Sequence, residues 1–279
     1  MLKQSMLDLC LLAKMSFGRR AINPGQLYDG VRYENFLNAQ KRFFNLGYWS
    51  KNIDYDQACE KLALKLSEHA QLTSMQTVLS AGCGFGEECA LWKEKYDLNK
   101  IVGINLSSVQ LGVANTQFSN LEQNFIKANV TRMPFSAHSF DRVLALESAM
   151  HFDTKLNFMK ESYRVLRPGG AIAIADIVLH DSPLSFYWKY ALKYLERVGH
   201  CPEGNIGPLK NYASHLESVG FKDIEIEDIS KRVFTGLFSY LKQKNVKKKL
   251  NVLPSVKLIA AICAHKGFPF KYILVRATK

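Results

Sequence analysis

Three alternating glycines, Gly82, Gly84 and Gly86, follow the apolar run "TVLSA" and precede a helix-like stretch that opens with Glu87 and Glu88. With no Cβ in the way, the main chain of such a turn can approach a ligand closely, which suits a nucleotide-like cofactor. Further along, His151 lies just beyond the run "DRVLALES" and Asp176 near the end of "AIAIADI". On neighbouring strands both would face one substrate mouth, and imidazole is the side chain best suited to taking up a proton near neutral pH. His180 is the second choice for such a base.

The acids beside the turn discriminate between cofactors. A dinucleotide fingerprint needs its third glycine at position 87 and places an anion at the helix N-terminus. Here Glu87 and Glu88 occupy that place, so a pyrophosphate would meet two carboxylates. S-adenosylmethionine has no phosphate and carries a sulfonium and an ammonium, so the same acids do not repel it. They also complement the positive end of the helix dipole, a role that needs no ligand.

The elements that must position these residues are legible as alternation. "TVLSAG", "KIVGINL", "NFIKANV", "FDRVLALES" and "GGAIAIADIVL" are short apolar runs separated by helical stretches. Such runs argue for strands buried on both faces of a mostly parallel, doubly wound α/β sheet. A helix in "PLKNYASHLESVGF", a strand in "KDIEIEDI", a last helix near 231–244 and the strand "FKYILVRA" complete seven strands. Residues 1–70 read as an N-terminal helical cap and 71–279 as the core. A substrate-covering insertion at about 180–207 follows the fifth strand, over the carboxyl ends where open α/β sheets bind ligands.

Composition fits one globular unit, with 279 residues, 47% hydrophobic and 22% charged. The net charge of +12 predicts attraction to anionic partners. No basic run is interleaved with aromatics in the manner of a nucleic-acid stacking platform, which argues against nucleic acid. The six cysteines form no metal-ligand spacing and read as free thiols, no metal is expected, and neither the N-terminus nor "VKLIAAICA" has the form of a secretion signal or membrane span. The expected location is cytoplasmic.

The chain resembles the class I S-adenosylmethionine-dependent methyltransferases, in the small-molecule branch of sugar and natural-product O-methyltransferases, tocopherol and sterol methyltransferases and cyclopropane synthases. The resemblance rests on "LGYW" (46–49), "VLSAGCGFG" (78–86), "VGINLSSVQ" (102–110), "MPFSAHSFDRVLALESAMHF" (133–152) and "RVLRPGGAIAIADI" (164–177). It implies a seven-stranded Rossmann-like fold and S-adenosyl-L-methionine as methyl donor. By the same resemblance Gly82, Gly84 and Gly86 lie along the methionine and ribose portions, and Asn105, Leu106 and Gln110 at the ribose. Asn129 and Val130 fall beside the adenine, and Tyr33, Tyr48, Trp49, Ser80 and Glu147 at the methionine end. His151 is implied as general base, with Asp176 as its orienting partner.

Three positions depart from the family pattern. Many relatives carry an acid where this chain has Ser80, Asn105 and Asn129. An amide both donates and accepts, so it can still serve a ribose diol or an adenine amine. A serine supplies no charge opposite the ammonium, which leaves Glu147 or Glu87 to compensate.

The sequence therefore points to methyl transfer onto a small-molecule hydroxyl, with the substrate free, bound to an acidic carrier, or held at an anionic membrane surface. C- or N-methylation of a lipid-like substrate, RNA methylation, and cofactor binding without catalysis stay open. The oligomeric state is not encoded in any pattern found.

Overall fold

The computed structural model describes residues 40–119, 124–186, 188–189, 192–193, 196, 201–243 and 268–279. Tyr33, most of the expected cap and the run "VKLIAAICA" lie outside them. The described elements, in chain order, are α1 (Tyr55–His69), β1 (Thr77–Ala81), α2 (Glu87–Tyr96), β2 (Lys100–Asn105), α3 (Ser108–Gln117), β3 (Asn124–Lys127) and β4 (Phe140–Leu146). A 3-10 turn (Ala149–His151), α4 (Lys155–Val165), β5 (Leu166–Leu179), α5 (Lys210–Val219) and β6 (Lys222–Asp228) follow. A π-helical turn (Lys231–Thr235), α6 (Gly236–Leu241) and β7 (Phe270–Thr278) end the chain.

The seven strands form one sheet in the order β3-β2-β1-β4-β5-β7-β6, with every pairing parallel except those of β7, which runs antiparallel to β5 and β6. This bears out the doubly wound reading. After β1 the chain winds outward through β2 and β3, then returns to place β4 on the other side of β1. That reversal opens a crevice beyond the carboxyl ends of β1 and β4, flanked by the glycine turn and the turn that carries His151.

Each sheet face has its own core. Leu62 and Leu66 of α1, Trp92 of α2 and Leu111 of α3 pack on one face with Val78, Leu144 and Tyr272. Phe158 and Met159 of α4 and Tyr212 and Leu216 of α5 cover the other with Leu79, Val143, Ile172 and Ile174. All five β1 residues are buried, which is why "TVLSA" shows no polar alternation. α1 begins with a capping box in which Asp54 and Gln57 satisfy each other's backbone amides, a device worth about 1 kcal/mol.

The helix expected near 231–244 is a π-helical turn followed by the short α6. At the junction, a Cβ on Gly236 would stand 2.1 Å from Trp49 Cβ, so the widened turn is packed directly on that indole. Among the described residues Cys59, Cys83, Cys89 and Cys201 are buried thiols, and no helix is long and apolar enough to cross a membrane.

Candidate active site

The glycine turn leaves β1 with Gly82, Gly84 and Gly86 all at positive φ, +77°, +51° and +84°. Their surroundings differ. A Cβ on Gly82 would lie 2.5 Å from Ser148 Cβ, and one on Gly86 would lie 2.6 Å from Phe125 Cζ, whereas one on Gly84 would have nothing within 4 Å. Gly82 and Gly86 are therefore required by packing within the protein, and Gly84 presents bare main chain to open space. That is the cradle a nucleoside cofactor needs.

On the β2 side, Asn105 Nδ2 donates to Gln110 Oε1 at 2.7 Å and to the Gly84 carbonyl at 3.4 Å, while the Leu106 amide donates to Asn105 Oδ1. The two amides picked out from the sequence thus stand together at the turn's edge. Ser107 caps α3 by accepting from the Gln110 amide, which sets the position of that pair. Asn129 is exposed, and its Oδ1 accepts from the amide and hydroxyl of Thr131, whereas Val130 beside it is buried.

The acids behind the turn divide their work. Glu87 accepts from the Arg42 amide at 2.9 Å and from Gln117 Nε2 at 3.0 Å, so it ties the 40–45 segment and α3 to the turn. Glu88 accepts from Ser80 Oγ at 3.3 Å, and burial pushes its pKa up to about 8. Of the acids near the turn, the carboxyl that touches Ser80 is that of Glu88, and not that of Glu87 or Glu147, the two expected to compensate for it. The signal was available, because a residue in the first turn of the helix after a glycine loop can reach back to the strand end.

Glu147, at φ +50° just after β4, accepts from the Leu46 amide at 2.8 Å and the Tyr272 hydroxyl at 2.7 Å. Burial raises its pKa to about 7. It fastens the "LGYW" segment to the sheet. Within that segment Tyr48 is half-buried, and Trp49 packs its ring 4.6 Å from that of Tyr240 while its Nε1 donates to the Leu46 carbonyl. Trp49 is thereby a core side chain of the cap.

His151 ends the 3-10 turn after β4. Ser148, at the start of that turn, donates to the Ala81 carbonyl at 2.7 Å, and Gly82 faces both Ser148 and Phe152. The segment bearing His151 is therefore docked against the glycine turn. Its Nδ1 lies 3.7 Å from Cys201 Sγ, and burial together with the Asp176 charge pushes that thiol up to about 12, leaving it neutral. Asn205 Nδ2 donates to the carbonyls of Met150 and Phe152. Nothing in the sequence marked Cys201 or Asn205.

Asp176 takes a place that the sequence did not show. It is fully buried on the α4–α5 side of the sheet, with Oδ2 2.5 Å from Lys155 Nζ and 3.0 Å from the Tyr212 hydroxyl, and Oδ1 accepting from the Ile177 amide. A cleft of about 190 Å³ lined by Thr154, Lys155, Asn205, Tyr212 and His215 lies beside this cluster. His180 is found elsewhere, in a groove of about 280 Å³ with Phe234, Phe238, Phe268 and Phe270. Phe186 is 75% exposed, and Trp188 is buried edge-on against Phe268 and Phe270.

A doubly wound sheet of this strand order, with bare glycine main chain after β1, a polar pair after β2 and acids in place of an anion site, defines an S-adenosylmethionine-dependent methyltransferase. Residues 79–174 match a family described as "Methyltransferase domain". The chain is 31% identical over 268 residues to erythromycin 3''-O-methyltransferase of Saccharopolyspora erythraea, covering 90% of this chain and 87% of that one. It is also 31% identical over 223 residues to the O-methyltransferase rstn1 of Aspergillus nomiae, covering 77% and 96%. Among solved structures it superposes on geranyl diphosphate C-methyltransferase of Streptomyces coelicolor, bound to S-adenosyl-L-homocysteine, with a TM-score of 0.70 at 15% identity, covering 91% and 95%. The chain belongs to the class I S-adenosylmethionine-dependent methyltransferases, and S-adenosyl-L-methionine is its methyl donor.

Proposed function

We propose that this enzyme methylates a hydroxyl group of a small natural-product, sugar or lipid-like substrate, with His151 as the general base. The observation that carries this reading is the docking of the His151 turn on the glycine turn through Ser148 and Phe152. That docking supports a role for the neighbouring imidazole at the point of methyl transfer. The two most similar relatives described above are O-methyltransferases by name, which supports hydroxyl over carbon or nitrogen.

In this reading Gly82, Gly84 and Gly86 line the methionine and ribose portions of the donor, and Asn105, Leu106 and Gln110 hold the ribose. Val130 packs on the adenine with Asn129 at its edge. Ser80, Glu147 and Tyr48 surround the methionine end, with Trp49 supporting them from the core and Tyr33 as a further candidate. The bound donor supplies an activated methyl group. The protein's own contributions are alignment, exclusion of water, and removal of the hydroxyl proton by His151. Asp176 acts on His151 at one remove, through the buried cluster whose charge also acts on Cys201.

The phenylalanine-lined groove near His180 supports an apolar substrate, and the positive net charge supports an acidic carrier or anionic membrane surface as its source. The test is His151→Ala assayed with a macrolide or polyketide alcohol as acceptor. Turnover should fall roughly a hundredfold or more, with donor affinity unchanged within about twofold. Full retained activity removes the base assignment, and a rate flat across salt concentrations removes the anionic source.

A further inference from the structure

Ser80 is the fourth residue of β1 and is 1% exposed, so no charge from β1 itself meets the cofactor. Its hydroxyl instead points to Glu88 Oε1, in the first turn of α2. Glu88 is 8% exposed and stands directly behind the glycine turn. Among the described residues, the groups acting on it are its own backbone amide, Ser80 from β1 and Glu87 from its own helix, while Cys83 of the turn and Cys89 of the helix feel its charge in return. None of these is a cation. Glu87, by contrast, is used by the fold, through Arg42 and Gln117.

A carboxyl enclosed without a cation costs stability, and a chain gains nothing from it in the free state. Its place next to Ser80, at the carboxyl end of β1 beside the glycine turn, gives it a use. We propose that Glu88 is the counter-charge for the ammonium of S-adenosylmethionine in this chain, reaching from α2 to the place an acid at position 80 would fill, with the Ser80 hydroxyl steering its carboxylate. The inference rests on the methionine end lying beside the glycine turn, as in the function proposed above.

A proton balance follows. In the free protein burial holds Glu88 up to about 8, so at pH 7 most molecules carry the neutral acid. An ammonium arriving beside it favours the carboxylate, and the proton leaves to the buffer. Binding of the donor or its product therefore releases most of one proton at pH 7, and the coupling fades above pH 9, where the free acid is already ionised.

The experiment is calorimetric titration of the full chain with S-adenosylhomocysteine, which keeps the ammonium, and with its desamino analogue, in buffers of different ionisation enthalpy. Wild type should release most of one proton with the first ligand and none with the second. Glu88→Gln should weaken the first ligand roughly tenfold to a hundredfold, abolish the release, and leave the analogue's affinity unchanged. Adding Ser80→Asp to Glu88→Gln should restore most of the affinity. Equal binding by wild type and Glu88→Gln, a rescue that fails, or equal loss with both ligands overturns the proposal. Should Glu88→Gln not fold, equal proton release with both ligands in wild type overturns it and release with only the amino ligand upholds it. His151→Ala leaves this binding untouched, so a failed base assignment and a failed counter-charge read out separately.

Discussion

Asn205 brackets His151: its Nδ2 donates to the Met150 carbonyl at 3.1 Å and the Phe152 carbonyl at 2.6 Å, on either side of the imidazole-bearing residue. Its Oδ1 accepts from the Lys155 amide at the start of α4. One buried amide from beyond β5 thus sets the path of the turn after β4. Replacing it by alanine leaves two carbonyls and an amide without their partner, a cost of about 1–3 kcal/mol.

Asn205→Ala should therefore lower kcat roughly tenfold while donor affinity stays within about twofold, because a small displacement of the base is felt in the chemical step. Asn205→Asp should be no better, since a carboxylate cannot donate to either carbonyl. Steady-state kinetics with a parallel binding titration check this. A normal kcat in Asn205→Ala would show that the turn holds its own shape.

The Lys155–Asp176 pair separates a structural from a catalytic role. Its partners are enclosed at 7% and 0% side-chain exposure, and Nζ lies 2.5 Å from Oδ2 without an aligned hydrogen bond. Asp176→Ala strands a buried ammonium and should destabilise the fold by about 3–5 kcal/mol. The double variant Asp176→Leu with Lys155→Met should regain most of that loss, and urea unfolding measures both. If Asp176 also orients His151, the double variant stays stable yet slow. Full activity in it would confine Asp176 to the fold.

What the sequence revealed followed from period and order. The five apolar runs became five parallel strands because both sheet faces are covered; such runs lack the alternation that marks a strand, and their shortness and Val and Ile content set them apart from helix. The glycine turn was legible for the same reason: Gly82 and Gly86 leave no room for a Cβ, and Gly84 lies open. The partners of the site residues were not legible. Asp176 read as facing the mouth because it lies near a strand's end, but alternation along β5 sends it to the α4–α5 face with Ile174 and Val178. Asn205 and Cys201 reach His151 across about fifty residues of chain, a proximity that no local pattern encodes.

Two raised acids give the free enzyme a falling stability profile. Burial lifts Glu147 from 4.5 to about 7 and Glu88 from 4.5 to about 8. Between those limits the folded chain holds protons that the unfolded chain has released, so stability falls as pH rises. Each group contributes at most about 1.4 kcal/mol per pH unit while this difference lasts. His69, pushed down by burial, works in the opposite sense below pH 6.5, so the cleanest window is pH 6.5–8. Urea unfolding should show wild type losing roughly 1–3 kcal/mol across it, and Glu147→Gln should show a shallower slope. A wild-type profile that rises across the window would contradict both assignments.

Alanine at Gly84 and at Gly86 should part binding from folding. Both residues have positive φ, so each substitution bears a conformational cost of about 1 kcal/mol. At Gly84 there is nothing more to pay within the protein, because the new methyl group enters open space. At Gly86 it would press on the Phe125 ring at 2.6–2.7 Å and on Ala114 Cβ at 3.2 Å, and overpacking adds about 1–3 kcal/mol. Gly84→Ala should thus unfold only slightly earlier in urea yet bind S-adenosylhomocysteine at least tenfold more weakly, because its methyl group occupies the space the ligand approaches. Gly86→Ala should be clearly less stable, with its affinity loss tracking the unfolded fraction. Normal affinity in a folded Gly84→Ala would mean that the open side of the turn is not where the nucleoside lies.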